Sequence, residues 1–258
     1  MSHSKLSELR KEIIRTAHRA GEGHIASAFS ILDLLWVLYD RVLQQDPKAP
    51  RSENRDRFVL SKGHASLGIY AVLKEKGFFS ADEWATFGSY DSRFGGHPDS
   101  NKVPGIEAST GSLGHGLPMA VGMAYALKIK ASDRRVFCII GDGETNEGSI
   151  WESALLGAHH KLDNLCCILD YNHSGDRALV VGNLAAKFSA FEWEAIEIDG
   201  HDHDAIFRAL TKEGTGKPRI VIANTIKGKG CTRMENNPEW HHKAPTDEQL
   251  EELLSEVS

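Results

Sequence analysis

Unbroken apolar runs narrow the fold of this chain more than any other feature. VFCII (136–140), LCCIL (165–169) and RIVIA (219–223) lack the alternation expected of a strand with one wet face. Short runs of this kind, rich in β-branched residues, read as strands buried on both faces, and such strands belong to parallel sheets covered by helices. Segments of helical period separate them, at 117–130, 150–160 and 203–211. Further strands are expected at Arg57 to Leu60 and in FEWEAIEID (191–199). The fold class is therefore α/β, a parallel sheet with helices on both faces. Helix starts are expected at three capping-box-like sites, Ser30-Ile-Leu-Asp33, Ser80-Ala-Asp-Glu83 and Thr246-Asp-Glu-Gln249. No repeat or Pro/Ser-rich linker interrupts the pattern, so a single domain over 1–258 is expected.

Several function classes fall away on composition. A formal net charge of -6 argues against a nucleic-acid surface. No apolar run approaches the ~18 residues of a membrane span, and the start, MSHSKLSELRKEII, has no apolar signal core. Cys138, Cys166 and Cys167 lie inside apolar runs and Cys231 follows a Gly-Lys-Gly turn, a scatter of buried thiols that suits a reducing compartment and a cytoplasmic protein.

Chemistry is expected where strands end, because ligands of open parallel sheets sit beyond the carboxyl ends of the strands. Asp142 follows VFCII between Gly141 and Gly143, and Asn172 follows the next strand, one strand–helix–strand unit later. The glycines are read as allowing a sharp turn and close approach to a ligand. The Asp142 carboxylate, the Asn172 amide oxygen and the backbone carbonyl of Ser174 make a hard, incomplete oxygen shell. Such a shell suits Mg²⁺, which takes its remaining ligands from water and a phosphate. An EF-hand over Asp142, Glu144 and Asn146 fails because Glu147 stands where glycine is required. Gly-Asp-Gly alone occurs in many turns, and Asn172 alone is an ordinary turn residue; the pair at this spacing carries the metal–phosphate reading.

Gly-Asp-Gly followed about thirty residues later by Asn is the thiamine-diphosphate signature, and its surroundings resemble the transketolase family over nearly the whole chain. The resemblance rests on Gly23-His24, NRDRFVLSKGH (54–64), Gly96-His-Pro98, TGSLGHG (110–116), GDGETNEG (141–148), HKLDNL (160–165) and ENNPEWH (235–241). It implies the thiamine-diphosphate-binding fold of that family's diphosphate-binding domain. It also implies thiamine diphosphate held through Mg²⁺ (with Ca²⁺ or Mn²⁺ as substitutes) by Asp142, Asn172 and Ser174. Gly143, His64 and His241 would contact the diphosphate, and Gly111 and Leu113 would offer backbone contacts to the aminopyrimidine. His24 and His97 would touch the donor sugar and the intermediate, His241 would also move protons, and His64 joins the catalytic histidines. Imidazole suits such work because it titrates near neutrality. Glu147 and Glu152 would lie near a subunit interface.

The remaining histidines, His3, His18, His159, His160, His201 and His203, read as surface or structural residues. His115 stands where the family commonly has glutamine. At Trp240-His241-His242 a second histidine replaces the usual glycine, and register favours His241 for the phosphate contact. The segment HSGDRA (173–178) is more polar than the family's counterpart, a departure at the place where the resemblance implies an apolar residue packed against the cofactor.

Only the diphosphate-binding part of a transketolase is matched. The expected arrangement is a split enzyme whose partner, a C-terminal transketolase subunit, carries the pyrimidine-binding domain and its catalytic glutamate, most simply as an α2β2 heterotetramer acting on small-molecule sugars. The activity implied is transfer of a two-carbon ketol unit from a ketose to an aldehyde acceptor. The alternatives are the alpha subunit of a 2-oxoacid dehydrogenase, which shares the signature, and a cofactor-binding relic without catalysis.

Overall fold

Each apolar run feeds two cores, because successive residues of a strand point to opposite faces. In the computed structural model, which describes residues 3–257 (the side chain of His3 excepted), Phe137, Ile139, Ile168 and Val221 enter one core. Their neighbours Val136, Cys138, Ile140, Leu169 and Ile222 enter the other. The strands are β1 (Arg57–Leu60), β2 (Val136–Gly141), β3 (Leu165–Tyr171), β4 (Glu194–Asp199) and β5 (Arg219–Asn224). They form one sheet in the order β1-β2-β3-β5-β4, with every neighbouring pair parallel. β4, at an edge, is only partly buried.

The helices are α1 (His3–Ala20), α2 (Ile25–Val37), α3 (Ser66–Glu75), α4 (Ala81–Trp84), α5 (Gly116–Ile129), α6 (Gly148–His159), α7 (Leu184–Ala190), α8 (His203–Thr211) and α9 (Asp247–Glu256). Residues of α1, α2, α3, α8 and α9 build the first core, and those of α5, α6 and α7 the second, so both faces of the sheet are covered. The reciprocal capping boxes at Ser80 and Thr246 both form, although α4 is only four residues long.

One expected helix start is wrong. Ser30 lies in the middle of α2, which begins after His24. Its hydroxyl is buried, donates to the Asp170 carboxylate at 2.7 Å and accepts from Asn172 Nδ2 at 3.0 Å, so it is turned to β3 and caps no backbone amide. Asp33, the other end of that motif, is buried against Arg10 (3.1 Å), His201 (2.9 Å) and His203 (2.9 Å). Ile226 N–H donates to His201 Nε2 at 2.9 Å. His201 therefore carries its proton on Nδ1, facing Asp33, a structural histidine bridging α2 and the end of β5. The four thiols are free and buried, and no described helix is long and apolar enough to cross a membrane.

Candidate active site

The carboxyl ends of β2, β3 and β5 converge on one cavity of ≈ 260 Å³, whose lining includes Lys62, His64, Leu113, Asp142, Gly143, Asn172, Ser174, Lys227 and His241. A larger cavity (≈ 630 Å³) lies between the Pro50–Arg55 region and Lys102–Glu107, away from the strand ends; there Arg55 is already paired with Glu107 at 2.6 Å.

Asp142 leaves β2 in a short 3₁₀ turn (Asp142–Asn146). Its two oxygens accept from Gly143 N–H (2.8 Å) and Gly175 N–H (3.1 Å). Burial, with the nearby Asp170 carboxylate, nevertheless raises its pKa; two amides do not replace the lost water, and the site favours an added positive charge. Glycine is needed at Gly175, where a Cβ would stand 2.8 Å from Gly143 N. Gly141 and Gly143 differ from expectation. Neither has a positive φ, and a Cβ on either would meet nothing closer than 3.7 Å. The chain's own turn does not require them; the space over Gly143 opens on the cavity.

Beneath the cavity floor lies a buried polar network on β3. Asp170 is fully buried and accepts from Ser30, Thr225, Lys62 and Asn172. Burial by itself would push its carboxyl up, but Lys62, Ser30 and Thr225 more than offset that, and it stays below the ordinary value. Asn172 Nδ2 donates to Asp170 (2.9 Å) and Ser30 (3.0 Å), and its Oδ1 accepts from Ser174 N–H at 3.1 Å.

Glu144, which sequence reasoning passed over, clamps two loops to the end of β2. Its carboxylate accepts from Ser61 Oγ (2.5 Å), Gly114 N–H (2.9 Å) and Gly141 N–H (2.8 Å). That clamp fixes the loop carrying Gly111 and Leu113. At Gly111, with φ 156, a Cβ would meet the His97 ring at 2.9 Å, so this glycine lets His97 pack over the loop. His97 itself is exposed.

The wall opposite is imidazole. His24 lies 5.2 Å from His64, 5.7 Å from His241 and 4.4 Å, stacked, from His242, centroid to centroid. Burial depresses His24 to about 4, helped by His242 and His241, and burial with Lys62 depresses His64 to about 2. His241 is lowered in the same way, by burial and then Lys227. Lowered in this way, the His24, His64 and His241 rings favour the neutral form and offer both a hydrogen-bond donor and an acceptor. Lys227, also missed from sequence, supplies cationic charge. Its ammonium donates to Ser174 Oγ (3.1 Å) and to His241 Nδ1 (2.8 Å), and burial, with repulsion from Lys62, brings it down to about 8. The position just past β5 was its one signal in the sequence.

His115 is exposed, and its ring bonds to Leu113 O at 3.0 Å. His173, at φ 62, bonds to Asp176 at 2.9 Å and lines an adjoining cavity of ≈ 560 Å³ that shares Asn172, Ser174, Lys227 and His241 with the first. Glu147, at the N-cap of α6, and Glu152, within it, are both exposed.

A metal site of three or more His, Cys, Asp or Glu side chains does not occur among the described residues. The arrangement left by Asp142, Asn172 and Ser174 is a different type, one carboxylate with neutral oxygens, which leaves most positions to water and an anion. Backbone amides, a lysine and a carboxylate short of positive charge fit a diphosphate carried by a divalent cation.

Residues 2–256 match the family model described as "Transketolase, thiamine diphosphate binding domain". The chain belongs to the transketolase family. It is 42% identical over 254 residues to one of the subunits of an apulose-4-phosphate transketolase of Actinobacillus succinogenes, covering 96% of this chain and 92% of that one. It is 36% identical over 256 residues to a 6-deoxy-6-sulfo-D-fructose transketolase subunit of a Clostridium species, covering 96% and 93%. The solved transketolase from Leishmania mexicana superposes with a TM-score of 0.91 at 27% identity, over 99% of this chain and 40% of that one. The chain thus spans about two fifths of the solved transketolases it matches. Relatives of full length that are transketolase subunits do not favour the 2-oxoacid dehydrogenase alternative.

Proposed function

We propose that this chain is the diphosphate-binding subunit of a two-subunit transketolase that moves a two-carbon ketol unit from a ketose, by preference a phosphate ester, to an aldehyde acceptor. The observation that carries this is the near full-length match to subunits of split transketolases, in a chain whose strand-end cavity suits a cation-borne diphosphate. Asp142, Asn172 and the Ser174 carbonyl would hold Mg²⁺, and Gly143 N–H, His64, His241 and Lys227 would face the diphosphate. Gly111 and Leu113 would receive the aminopyrimidine. Thiamine diphosphate, when bound, supplies the carbanion chemistry. The chain's own residues bind and orient: His24 and His97 would hydrogen-bond the sugar hydroxyls, and a neutral His241 would accept a proton or pass one on.

The reading includes a partner that contributes the pyrimidine-binding domain and its glutamate, in an α2β2 assembly, with this chain as one domain in the cytoplasm. Leu155 and Leu156, 62% and 48% exposed on α6 beside Glu152, support a partner-facing surface there. Four buried free thiols suit a reducing compartment. The test is co-purification with the candidate partner and a ketose-to-aldose transfer assay with Mg²⁺ and thiamine diphosphate. Turnover is expected from the pair and not from this chain alone; transfer by the chain alone would overturn the split-enzyme reading.

A further inference from the structure

We infer that Ser30 and Asp170 lock the Asn172 side-chain amide in one orientation, so that its oxygen, and never its nitrogen, is presented to the cation. This rests on the proposed role of Asn172 as a ligand of that cation. An amide's two ends are similar in shape, and which one faces a site is settled by its hydrogen-bond partners.

Here those partners leave no choice. Asp170 has no exposed surface and is held as a carboxylate by the Lys62 ammonium. A carboxylate only accepts. Oδ2 takes Lys62 Nζ and Asn172 Nδ2, and Oδ1 takes the hydroxyls of Ser30 and Thr225. Ser30 donates its hydroxyl proton to Asp170 at 2.7 Å, a closer partner than the Thr225 hydroxyl at 3.3 Å, and its oxygen turns a lone pair to the second Asn172 N–H at 3.0 Å. On the far side, Asn172 Oδ1 accepts the Ser174 N–H at 3.1 Å. A flipped amide would set its oxygen against a carboxylate oxygen and a hydroxyl lone pair, and its NH₂ against the Ser174 N–H. The Asp170 and Ser174 contacts would pair like with like, and Ser30 could meet the flipped oxygen only by withdrawing its proton from Asp170. Buried polar groups left that way are costly, so the helix residue Ser30 and the strand residue Asp170 act on the cation through Asn172. Ser30 in mid-helix is explained by the same account, for there it reaches the strand end and not its own backbone.

Orientation by a neighbour that does not touch the metal is commonly worth about 10–100-fold in metal affinity. The experiment titrates Mn²⁺ into the full chain with excess thiamine diphosphate, reading free Mn²⁺ by electron paramagnetic resonance, for the parent, Ser30→Ala, Ser30→Thr and Asn172→Ala. Ser30→Ala is expected to weaken Mn²⁺ binding about tenfold or more, with Ser30→Thr, which keeps the hydroxyl, near the parent. Thermal unfolding without cofactor is run in parallel; a merely structural role would lower the melting temperature while leaving Mn²⁺ affinity in the folded range unchanged. If Asn172→Ala abolishes tight binding while Ser30→Ala binds like the parent, the locking inference is overturned and the ligand assignment stands. If Asn172→Ala itself binds like the parent, the ligand assignment falls, and the inference with it.

Discussion

Replacing Lys62 by methionine tests the polar floor of the site directly. The ammonium and the Asp170 carboxylate are 2% and 0% exposed, and both groups sit inside hydrogen-bonding contact. Removing one partner of a buried pair costs about 3–5 kcal/mol, because the other charge stays behind in a poor solvent. Two features of this site set the value near the lower end. Asp170 keeps donors from Ser30, Thr225 and Asn172, and Lys227 is relieved of the repulsion that, after burial, holds its ammonium down to about 8. A loss of about 3 kcal/mol corresponds to a melting temperature lower by roughly 6–12 °C in a chain of this size. The assay is thermal unfolding of the chain without cofactor, followed by circular dichroism at neutral pH. Lys62→Met combined with Asp170→Asn should recover part of the loss, since the stranded charge is gone, giving a coupling energy well above the few tenths expected of independent sites. A melting temperature within about 2 °C of the parent, or strict additivity in the double variant, would refute the buried-pair account.

Four further outcomes are expected. Asp142→Ala should lose Mg²⁺-dependent thiamine diphosphate binding, measured by calorimetry, and unchanged affinity would sink the metal assignment. His97→Ala should depress turnover of the assembled enzyme more than cofactor affinity; the reverse pattern would move His97 from substrate to cofactor. Gly175→Ala would drive a methyl group to within 2.8 Å of Gly143 N, so cofactor affinity should fall although no charged or hydrogen-bonding side chain is lost; parent-like binding would mean that the loop yields freely. Asp33→Asn addresses pH. Burial alone would raise that carboxyl, but hydrogen bonds from His201 and His203, with Arg10, hold it well below the usual range. A depressed carboxyl stabilises the fold above its unfolded value of about 3.9, and that contribution is lost as pH falls through the folded value. The variant should therefore be less stable at pH 7, and the gap to the parent should close below about pH 4; a gap constant down to pH 3 would rule the account out.

The strands were legible because burial on two faces leaves an unmistakable mark: VFCII, LCCIL and RIVIA have no polar interruption, and β2, β3 and β5 lie where these runs do. The strand-end rule then led to Asp142 and Asn172, which the fold brings to one cavity. Ser30 misled, since a serine followed three residues later by an acid looks the same whether it caps a helix or crosses to another element. Only the tertiary contact with Asp170 separates the two cases. Lys62 and Lys227 were passed over because lysine is ordinarily exposed, and nothing local signals that a lysine is 2% or 7% exposed. Both directly follow a strand-end segment, at Ser61 and Ile226, and the rule that found Asp142 applies equally to them. Glu144 escaped for another reason: its bond to Gly141 N–H has the three-residue spacing of a capping box, but Ser61 and Gly114 come from distant loops that no spacing along the chain connects to it.

The imidazole wall joins His24, just before α2, to His241 and His242, which follow the short turn Pro238–Trp240 after β5. A contact between residues so far apart along the chain closes a long loop. A molecule whose segment beyond β5 has not docked against the start of α2 lacks the imidazole wall even where Asp142 and Asn172 are in place, so its grip on the cofactor is expected to be weaker than that of the completed fold.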